Sequence, residues 1–298
     1  MRIVIVSPVR TAYALAAAVL LATLATACGA SSAGTGSAQT TVVVAFYPLA
    51  YAAETIGGDS VDVTNLTPPG AEPHDIELTP REVAGIQKAD VVIYLSHGFQ
   101  PAVEQALEGA SGKKIDALAG VHLHSGVDAE QGRFDPHVWL DPVLFAGVVK
   151  RIGAALGRPA DAGTLAAKVL SLDGVYRAGL ANCARRDFVT SHAAFGYLAA
   201  RYHLHQIPIS GLDPEAEPSP KRLASLVALV RRDHVKTVFF ETLVSPKVAE
   251  TVAREAGVKT AVLDPIEGLT PDEVRQGDDY VSVMRRNLAA LRKALGCR

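Results

Sequence analysis

Four side chains that can bind a metal ion stand at widely separated points of the sequence. They are His74 in PGAEPHDIELTP, His137 in FDPHVWLDP, His192 in VTSHAAFGY and Asp264 in VLDPIEGL. Three neutral imidazoles and one carboxylate suit tetrahedral zinc, and a complete set of four protein ligands leaves no open position for catalysis. The residue types therefore predict a closed Zn²⁺ site with these four ligands.

The loop around His137 has a stiff sequence. Two Asp-Pro pairs bracket His137 and Trp139, which is the only tryptophan of the chain. Pro136 limits the backbone before His137, and Asp141-Pro142 is typical of a helix cap followed by the first helical residue. Stiff loops lower the ordering cost of bringing distant segments to one ion. We therefore interpret this loop as the support of a metal ligand.

The elements that must position these residues alternate between strands and helices. Strand patterns cover 41–47, 61–67, 89–95 and 113–118 in the first half and 187–192, 205–210, 237–241 and 259–265 in the second. Their nearly continuous apolar character is typical of parallel strands that are covered on both faces. Helical patterns at 219–233 and 245–257 both open with Ser-Pro, as a cap followed by an N1 proline. This order predicts an α/β fold of two (βα)4-type lobes.

The predicted organisation has five parts. Residues 1–28 form a signal peptide, 29–40 a flexible tether, 41–158 an N-terminal lobe, 159–182 a rigid linker helix and 183–298 a C-terminal lobe. In parallel α/β sheets, ligands bind at the carboxyl ends of the strands. Each lobe supplies two of the four predicted ligands near such ends, so the metal site is expected in the cleft between the lobes.

The first 28 residues have the pattern of an export signal. Arg2 and Arg10 precede an apolar run that ends at Ala27. ATAC ahead of Gly29 resembles a lipobox, in which Cys28 would be lipidated, although a larger aliphatic residue is commoner where Ala25 stands. A plain signal peptide is the alternative. We expect an exported protein, lipid-anchored on the extracytoplasmic face of the cell membrane, in the periplasm or at the cell surface.

Composition and the remaining cysteines narrow the class of protein further. The chain of 298 residues is 49% hydrophobic and has a formal charge of −2, without a basic run, so nucleic acid is not an expected partner. Cys183 and Cys297 remain as an even pair in an oxidising compartment. They are expected to form a disulfide, with two separate buried thiols as the alternative.

Several longer motifs resemble one known family. PGAEPHDIELTP, FDPHVWLDP, TSHAAFGYLAARY, FFETLVSPKVAETVAREAG and VLDPIEGL are similar to the metal-binding receptors of bacterial ABC importers for zinc and manganese, the cluster A-I or ZnuA-like solute-binding family. The resemblance covers residues 41–297. It implies two lobes joined by one long helix, ligands at His74, His137, His192 and Asp264, and delivery of the metal to an ABC permease driven by a cytoplasmic ATPase. It also implies a monomer that performs no chemistry on the metal.

The third ligand bears on the choice of metal. The resemblance implies zinc where this ligand is histidine, as at His192, and manganese where it is glutamate. Zinc members often carry a histidine-rich loop before the second ligand. Here only His122 and His124 precede His137, as a reduced loop for auxiliary metal capture or as two solvated histidines.

Three alternatives remain open. The first is a manganese or iron receptor of the same family. The second is a zinc-dependent hydrolase with Glu72, Glu77 or Glu241 as general base, which requires an open coordination position. The third is a metal-stabilised adhesin, which would unfold when its metal is removed.

Overall fold

The computed structural model describes residues 39–125 and 133–298. The predicted signal peptide, Cys28 and most of the predicted tether lie outside the described residues. Within the described ranges, no helix combines the length and the apolar character needed to cross a bilayer.

The first lobe is built on a four-stranded parallel sheet. Its strands are β1 (Thr40–Val44), β2 (Val61–Asn65), β3 (Val91–Tyr94) and β4 (Lys113–Asp116), in the order β2-β1-β3-β4. Its helices are α1 (Tyr47–Gly57), α2 (Pro80–Lys88) and α3 (Pro101–Ala106). Val42 and Val44 pack into one hydrophobic cluster and Val43 into another on the opposite face. Both faces of the sheet are covered, which explains the continuous apolar run of β1.

The second lobe repeats this arrangement. Its strands are β5 (Asp187–Thr190), β6 (His205–Pro208), β7 (Thr237–Phe240) and β8 (Lys259–Val262), again parallel and in the equivalent order β6-β5-β7-β8. Its helices are α6 (Gly196–Arg201), α7 (Pro220–Arg232), α8 (Lys247–Ala256), α9 (Pro271–Gln276) and α10 (Tyr280–Leu295). The strand order reverses beside β1 in one sheet and beside β5 in the other, and such switch points create binding crevices at the carboxyl edge.

Two helices join the lobes. α4 covers Pro142–Ala155, and α5 covers the 22 residues Pro159–Leu180, about 33 Å at the rise of an α-helix. The hydroxyl of Tyr176, in the last turns of α5, donates to the backbone oxygen of Met284 in α10 at 2.6 Å. One hydrophobic cluster contains buried residues of both lobes and of α5. The predicted fold class, two parallel-sheet lobes with a long linking helix, is confirmed.

The two Ser-Pro helix starts turn out to differ. Ser219 caps α7 as predicted, because its side chain accepts from the backbone N–H of Arg222. The same expectation for Ser245 is wrong: Pro246 is itself the N-cap residue of α8, and no side chain caps that helix. A Ser-Pro pair therefore marks a helix start to within one residue without deciding which residue caps it.

Cys183 and Cys297 form a disulfide across 114 residues of chain. Cys183 follows the linker helix α5, and Cys297 follows α10, so the bond ties the start of the second lobe to its end. The prediction of a disulfide, instead of two free thiols, is confirmed.

Replacing both cysteines, Cys183→Ser with Cys297→Ser, should lower the free energy of unfolding by about 4–5 kcal/mol, because the unfolded chain regains the entropy of a long open loop. Urea unfolding of the variant and of the reduced wild-type protein measures this loss. The two should agree, since both remove the same cross-link. An unchanged unfolding midpoint in both would contradict the entropic role of the bond.

Candidate metal centre

His74 comes from the loop between β2 and α2. Its backbone N–H donates to Oε2 of Glu72 at 2.8 Å, and its ring packs edge-on against Phe99 with centroids 4.7 Å apart. Its Nε2 lies 3.2 Å from Oε1 of Glu267. Nδ1 of the same ring is buried and has no hydrogen-bond partner among the described residues.

His137 is fixed by the first Asp-Pro pair of its loop. Both its backbone N–H and its Nδ1–H donate to Oδ1 of Asp135, at 2.9 and 2.7 Å. Asp141 caps α4 by accepting from the N–H of Val143 at 2.8 Å. Trp139 packs against Phe46 at a centroid distance of 4.7 Å, which seats the loop on the core. The rigidity predicted from the sequence is therefore present, with a carboxylate that orients the ring in addition.

His192 is the second residue after β5 and is held from the neighbouring strand. Its Nδ1 lies 2.7 Å from Oε1 of Glu241, which follows β7, and its backbone N–H donates to the same oxygen at 3.2 Å. Because parallel strands end at the same edge, neighbouring strands bring the two residues into contact. A carboxylate on Nδ1 leaves Nε2 free to face the centre.

Glu267 completes the group. Its Oε1 lies 3.2, 3.0 and 3.4 Å from Nε2 of His74, His137 and His192, and the Nε2 atoms of His137 and His192 are 3.3 Å apart. All four ligand atoms lie within 4.8 Å of one another, and all four residues are buried. Bonds of about 2.0–2.1 Å around a tetrahedral ion place neighbouring donors about 3.3 Å apart. The four contact distances match neighbouring donors around one ion, and the other two donor–donor distances stay within 4.8 Å.

The structure corrects the predicted position of the carboxylate. Asp264 is buried but does not belong to the group of four; its Oδ1 accepts from the N–H of Ile266 at 2.7 Å, and its Oδ2 lies 3.4 Å from Oγ1 of Thr242. The chain turns between Asp264 and Glu267, and the turn brings the later and longer carboxylate to the centre. The rule that ligands lie just after strand ends selected Asp264, because it is the first acidic residue after β8. The sequence signal for Glu267 was its place in the same VLDPIEGL motif.

The remaining predicted candidates lie outside the group of four. The ring of His124 stacks on Tyr197 with centroids 4.1 Å apart, and its backbone N–H donates to the Tyr197 hydroxyl at 3.0 Å. His122 is exposed. Their role in metal capture stays a prediction. Glu72, one of the three predicted general bases, has its Oε1 4.0 Å from Nε2 of His74, and this oxygen is buried without a partner in the described part of the chain.

Burial and the central carboxylate set the charges of the cluster. Burial alone would raise the pKa of Glu267, but the surrounding imidazoles, His192 above all, hold it well below the usual value. Burial opposes the charging of His137 and His192, yet contacts with carboxylates raise both pKa values. For His74, burial prevails and lowers the pKa.

The two carboxyls beside the group behave differently from Glu267. Burial raises the pKa of Glu72 to about 8, with repulsion from Glu267 adding to the effect. Burial likewise raises the pKa of Asp264 to about 7. Neither carboxyl touches a positively charged partner in the described structure, so of Glu72, Asp264 and Glu267 it is Glu267 that carries a negative charge.

A buried donor set of three imidazoles and one carboxylate, between two similar parallel-sheet lobes joined by a long helix, defines a solute-binding protein of the metal-binding class. The chain belongs to the ZnuA family, described as "Zinc-uptake complex component A periplasmic", whose family model matches residues 42–294.

The comparisons with individual proteins agree with this family. The chain is 37% identical over 300 residues to the high-affinity zinc uptake system protein ZnuA of Bacillus subtilis, covering 91% of this chain and 94% of that one. It is 39% identical over 283 residues to the zinc-binding protein AdcA of Streptococcus pyogenes, covering 84% of this chain and 55% of AdcA. The chain thus spans about half the length of the AdcA relatives.

A solved structure shares the fold. The crystal structure of the Zn(II)-bound ZnuA-like domain of Streptococcus pneumoniae AdcA matches with a TM-score of 0.74 at 37% identity. The match covers 86% of this chain and 99% of that domain.

The metal-free protein should lose stability as pH rises. The raised pKa values of His137 and His192 contribute stability that is fully present below the unfolded value of about 6.5 and is lost as pH rises through the folded values. The lowered pKa of His74 has the opposite effect on stability, so this ring offsets part of the loss. We expect the free energy of unfolding, measured with urea and a chelator, to fall as pH rises above about 6.5.

The variant Glu267→Gln should make this profile less steep, because Asp135 and Glu241 still raise the pKa values of His137 and His192 but the carboxylate that both rings share is gone. Glu77→Gln, at an exposed carboxylate, is the control and should keep the wild-type slope. Equal slopes in the wild type and in Glu267→Gln would contradict the assigned electrostatics.

Proposed function

We propose that this protein is the extracytoplasmic zinc receptor of an ABC importer. It binds one Zn²⁺ ion through Nε2 of His74, His137 and His192 and Oε1 of Glu267. The observation that carries the proposal is the buried group of four donor atoms, with 3.0–3.4 Å between the atoms in contact. Zinc is the cargo of the protein, since the site lies between lobes and the fold has a large hydrophobic core of its own.

The donor set favours zinc over manganese or iron. Three nitrogen donors and one carboxylate oxygen suit Zn²⁺, whereas Mn²⁺ prefers sites richer in oxygen. The relatives named above are described as zinc-binding or zinc-uptake proteins, which supports the same choice.

A receptor fits the site better than a hydrolase does. Four protein ligands fill a tetrahedral zinc ion and leave no position for a water nucleophile. Glu241, a predicted general base, accepts from Nδ1 of His192 and so acts as the support of a ligand. Glu77 is exposed and lies outside the donor group. The protein therefore binds and releases the ion without chemistry on it.

The delivery of zinc requires partners in the membrane. We infer a permease with a cytoplasmic ATPase as the recipient, because the family is described as a component of a zinc-uptake complex. A lipid anchor on Cys28 would hold the receptor, as a monomer, next to that permease. One relative from Streptococcus pneumoniae is described as a zinc-binding lipoprotein, which supports this arrangement.

Metal competition tests the assignment of site and cargo. After chelation, addition of equimolar Zn²⁺ and Mn²⁺ and desalting, the wild type should retain one zinc per chain and negligible manganese. His192→Ala and Glu267→Gln should each weaken zinc binding by more than about 100-fold, beyond the effect typical of residues that only support a ligand. His205→Ala, at an exposed histidine outside the donor group, is the matched control and should bind like the wild type.

Two results would count against the proposal. Retention of manganese in preference to zinc would favour the manganese receptor. Unfolding of the chelated protein, followed by circular dichroism, would instead indicate a structural metal, as expected of a metal-stabilised adhesin.

Zinc affinity should fall as pH decreases through about 6.5, because the imidazoles must be neutral to bind the ion. The raised pKa of His192 extends this competition to higher pH, so affinity should still increase above neutrality. Zinc titrations from about pH 5.5 to about pH 8 measure the slope. An affinity independent of pH over this range would exclude histidine ligation.

A further inference from the structure

The turn that leads into Glu267 contains an unusual backbone conformation. Ile266 has a φ of +57° and a fully buried side chain. Left-handed backbone is uncommon outside glycine and is a clear outlier for a β-branched residue, because the branched side chain crowds the backbone. Such a conformation persists only where the surroundings hold it, and it is often found at functional sites.

Hydrogen bonds from three directions hold this turn. Oδ1 of Asp264 accepts from the N–H of Ile266 at 2.7 Å. Asn287 of helix α10 pairs with both backbone groups of Asp264: its Oδ1 accepts from the N–H at 2.9 Å, and its Nδ2 donates to the carbonyl at 2.6 Å. From the other lobe, Nε1 of Trp139 donates to the carbonyl of Pro265 at 2.7 Å. Consecutive backbone groups of the turn are thus fixed.

The conformation of Ile266 decides where Glu267 points. Glu267 is the next residue, so the backbone rotation at Ile266 sets the direction from which its side chain leaves the chain. In the left-handed conformation, Oε1 of Glu267 reaches three imidazole nitrogens at 3.0–3.4 Å. Metal binding needs each donor to be held close to its final position.

We propose that Asp264 is a positioning residue, whose carboxyl oxygen holds Ile266 in the left-handed conformation and thereby directs Glu267 to the metal. This inference rests on the proposed zinc site. It gives Asp264 a function that needs an acceptor oxygen and no contact with the ion. Of its two carboxyl oxygens, Oδ1 is the one that closes the turn.

The chain contains an internal comparison for this device. All four Asp-Pro pairs form the same local turn, in which Oδ1 of the aspartate accepts from the N–H two residues later, at 2.7–2.9 Å. The aspartates are Asp135, Asp141, Asp213 and Asp264. The turn at Asp213 closes on Glu215, outside the donor group, and therefore provides a matched control in the same lobe.

A graded series at Asp264 tests the proposal by zinc affinity. Asp264→Asn keeps the acceptor oxygen and should stay within about 3-fold of the wild type. Asp264→Ala lacks it and should lose about 10–100-fold, as is usual for residues that orient ligands. Asp264→Ser, whose hydroxyl forms the same turn more weakly, should lie between them and replaces the alanine variant if that one does not fold. Asp213→Ala should retain wild-type affinity.

Each outcome of the series has one meaning. A loss in Asp264→Asn as large as that in Glu267→Gln would overturn the proposal in favour of direct ligation by Asp264. Equal affinities of the asparagine, serine and alanine variants would overturn it as well, even if their unfolding free energies differ, because the role would then be structural only. X-ray absorption of the zinc-loaded asparagine variant should show an unchanged set of three nitrogens and one oxygen.

Failure of the proposed function is distinguishable from failure of this inference. A wild-type protein that retains no zinc contradicts the zinc site itself. A wild-type protein that binds zinc, together with a flat series at Asp264, contradicts only the positioning role.

Discussion

One carboxylate surrounded by three imidazoles is the interaction on which the arrangement of this protein depends. Oε1 of Glu267 contacts Nε2 of His74, His137 and His192 at 3.0–3.4 Å. The side chains of His137 and His192 are fully buried. Outside water, a charge is stable only when it is paired, so the negative Glu267 and the rings with raised pKa values require one another. A divalent cation can replace the imidazole protons as the positive partner of Glu267, because it attracts the same four donor atoms.

The supports of the three rings are unequal. His137 and His192 each place Nδ1 against a carboxylate, Asp135 and Glu241, at 2.7 Å. Such a partner fixes the tautomer and the orientation of a ligand. His74 has no partner at Nδ1 among the residues described, and its side chain is 5% exposed against 0% for the other two rings. In the metal centre, carboxylates therefore fix the ring orientations of His137 and His192, whereas the ring orientation of His74 depends on the loop that carries it.

The two lobes meet at the loop of His137. Trp139 donates to the carbonyl of Pro265 in the second lobe, and its own carbonyl accepts from the hydroxyl of Tyr280 at 2.6 Å. These bonds join the segment that carries His137 to the turn before Glu267 and to helix α10. The geometry of two ligands from different lobes is thus coupled through a single tryptophan, in addition to the linker helix and the shared hydrophobic core.

The sequence by itself determined the local structure and most of the site. Apolar runs, Ser-Pro starts and the order of elements were enough for eight parallel strands in two lobes, because these features follow from local propensity and burial. Strand ends and stiff loops also led to His74, His137 and His192. Only the tertiary structure decided that Glu267 completes the group, since the left-handed backbone of Ile266 turns the chain after Asp264. That conformation depends on Asn287 and Trp139, which are distant in sequence and carry no local signal for it. The pairing of Glu241 with His192 was decided in the same way, by two strands that become neighbours only in the folded sheet.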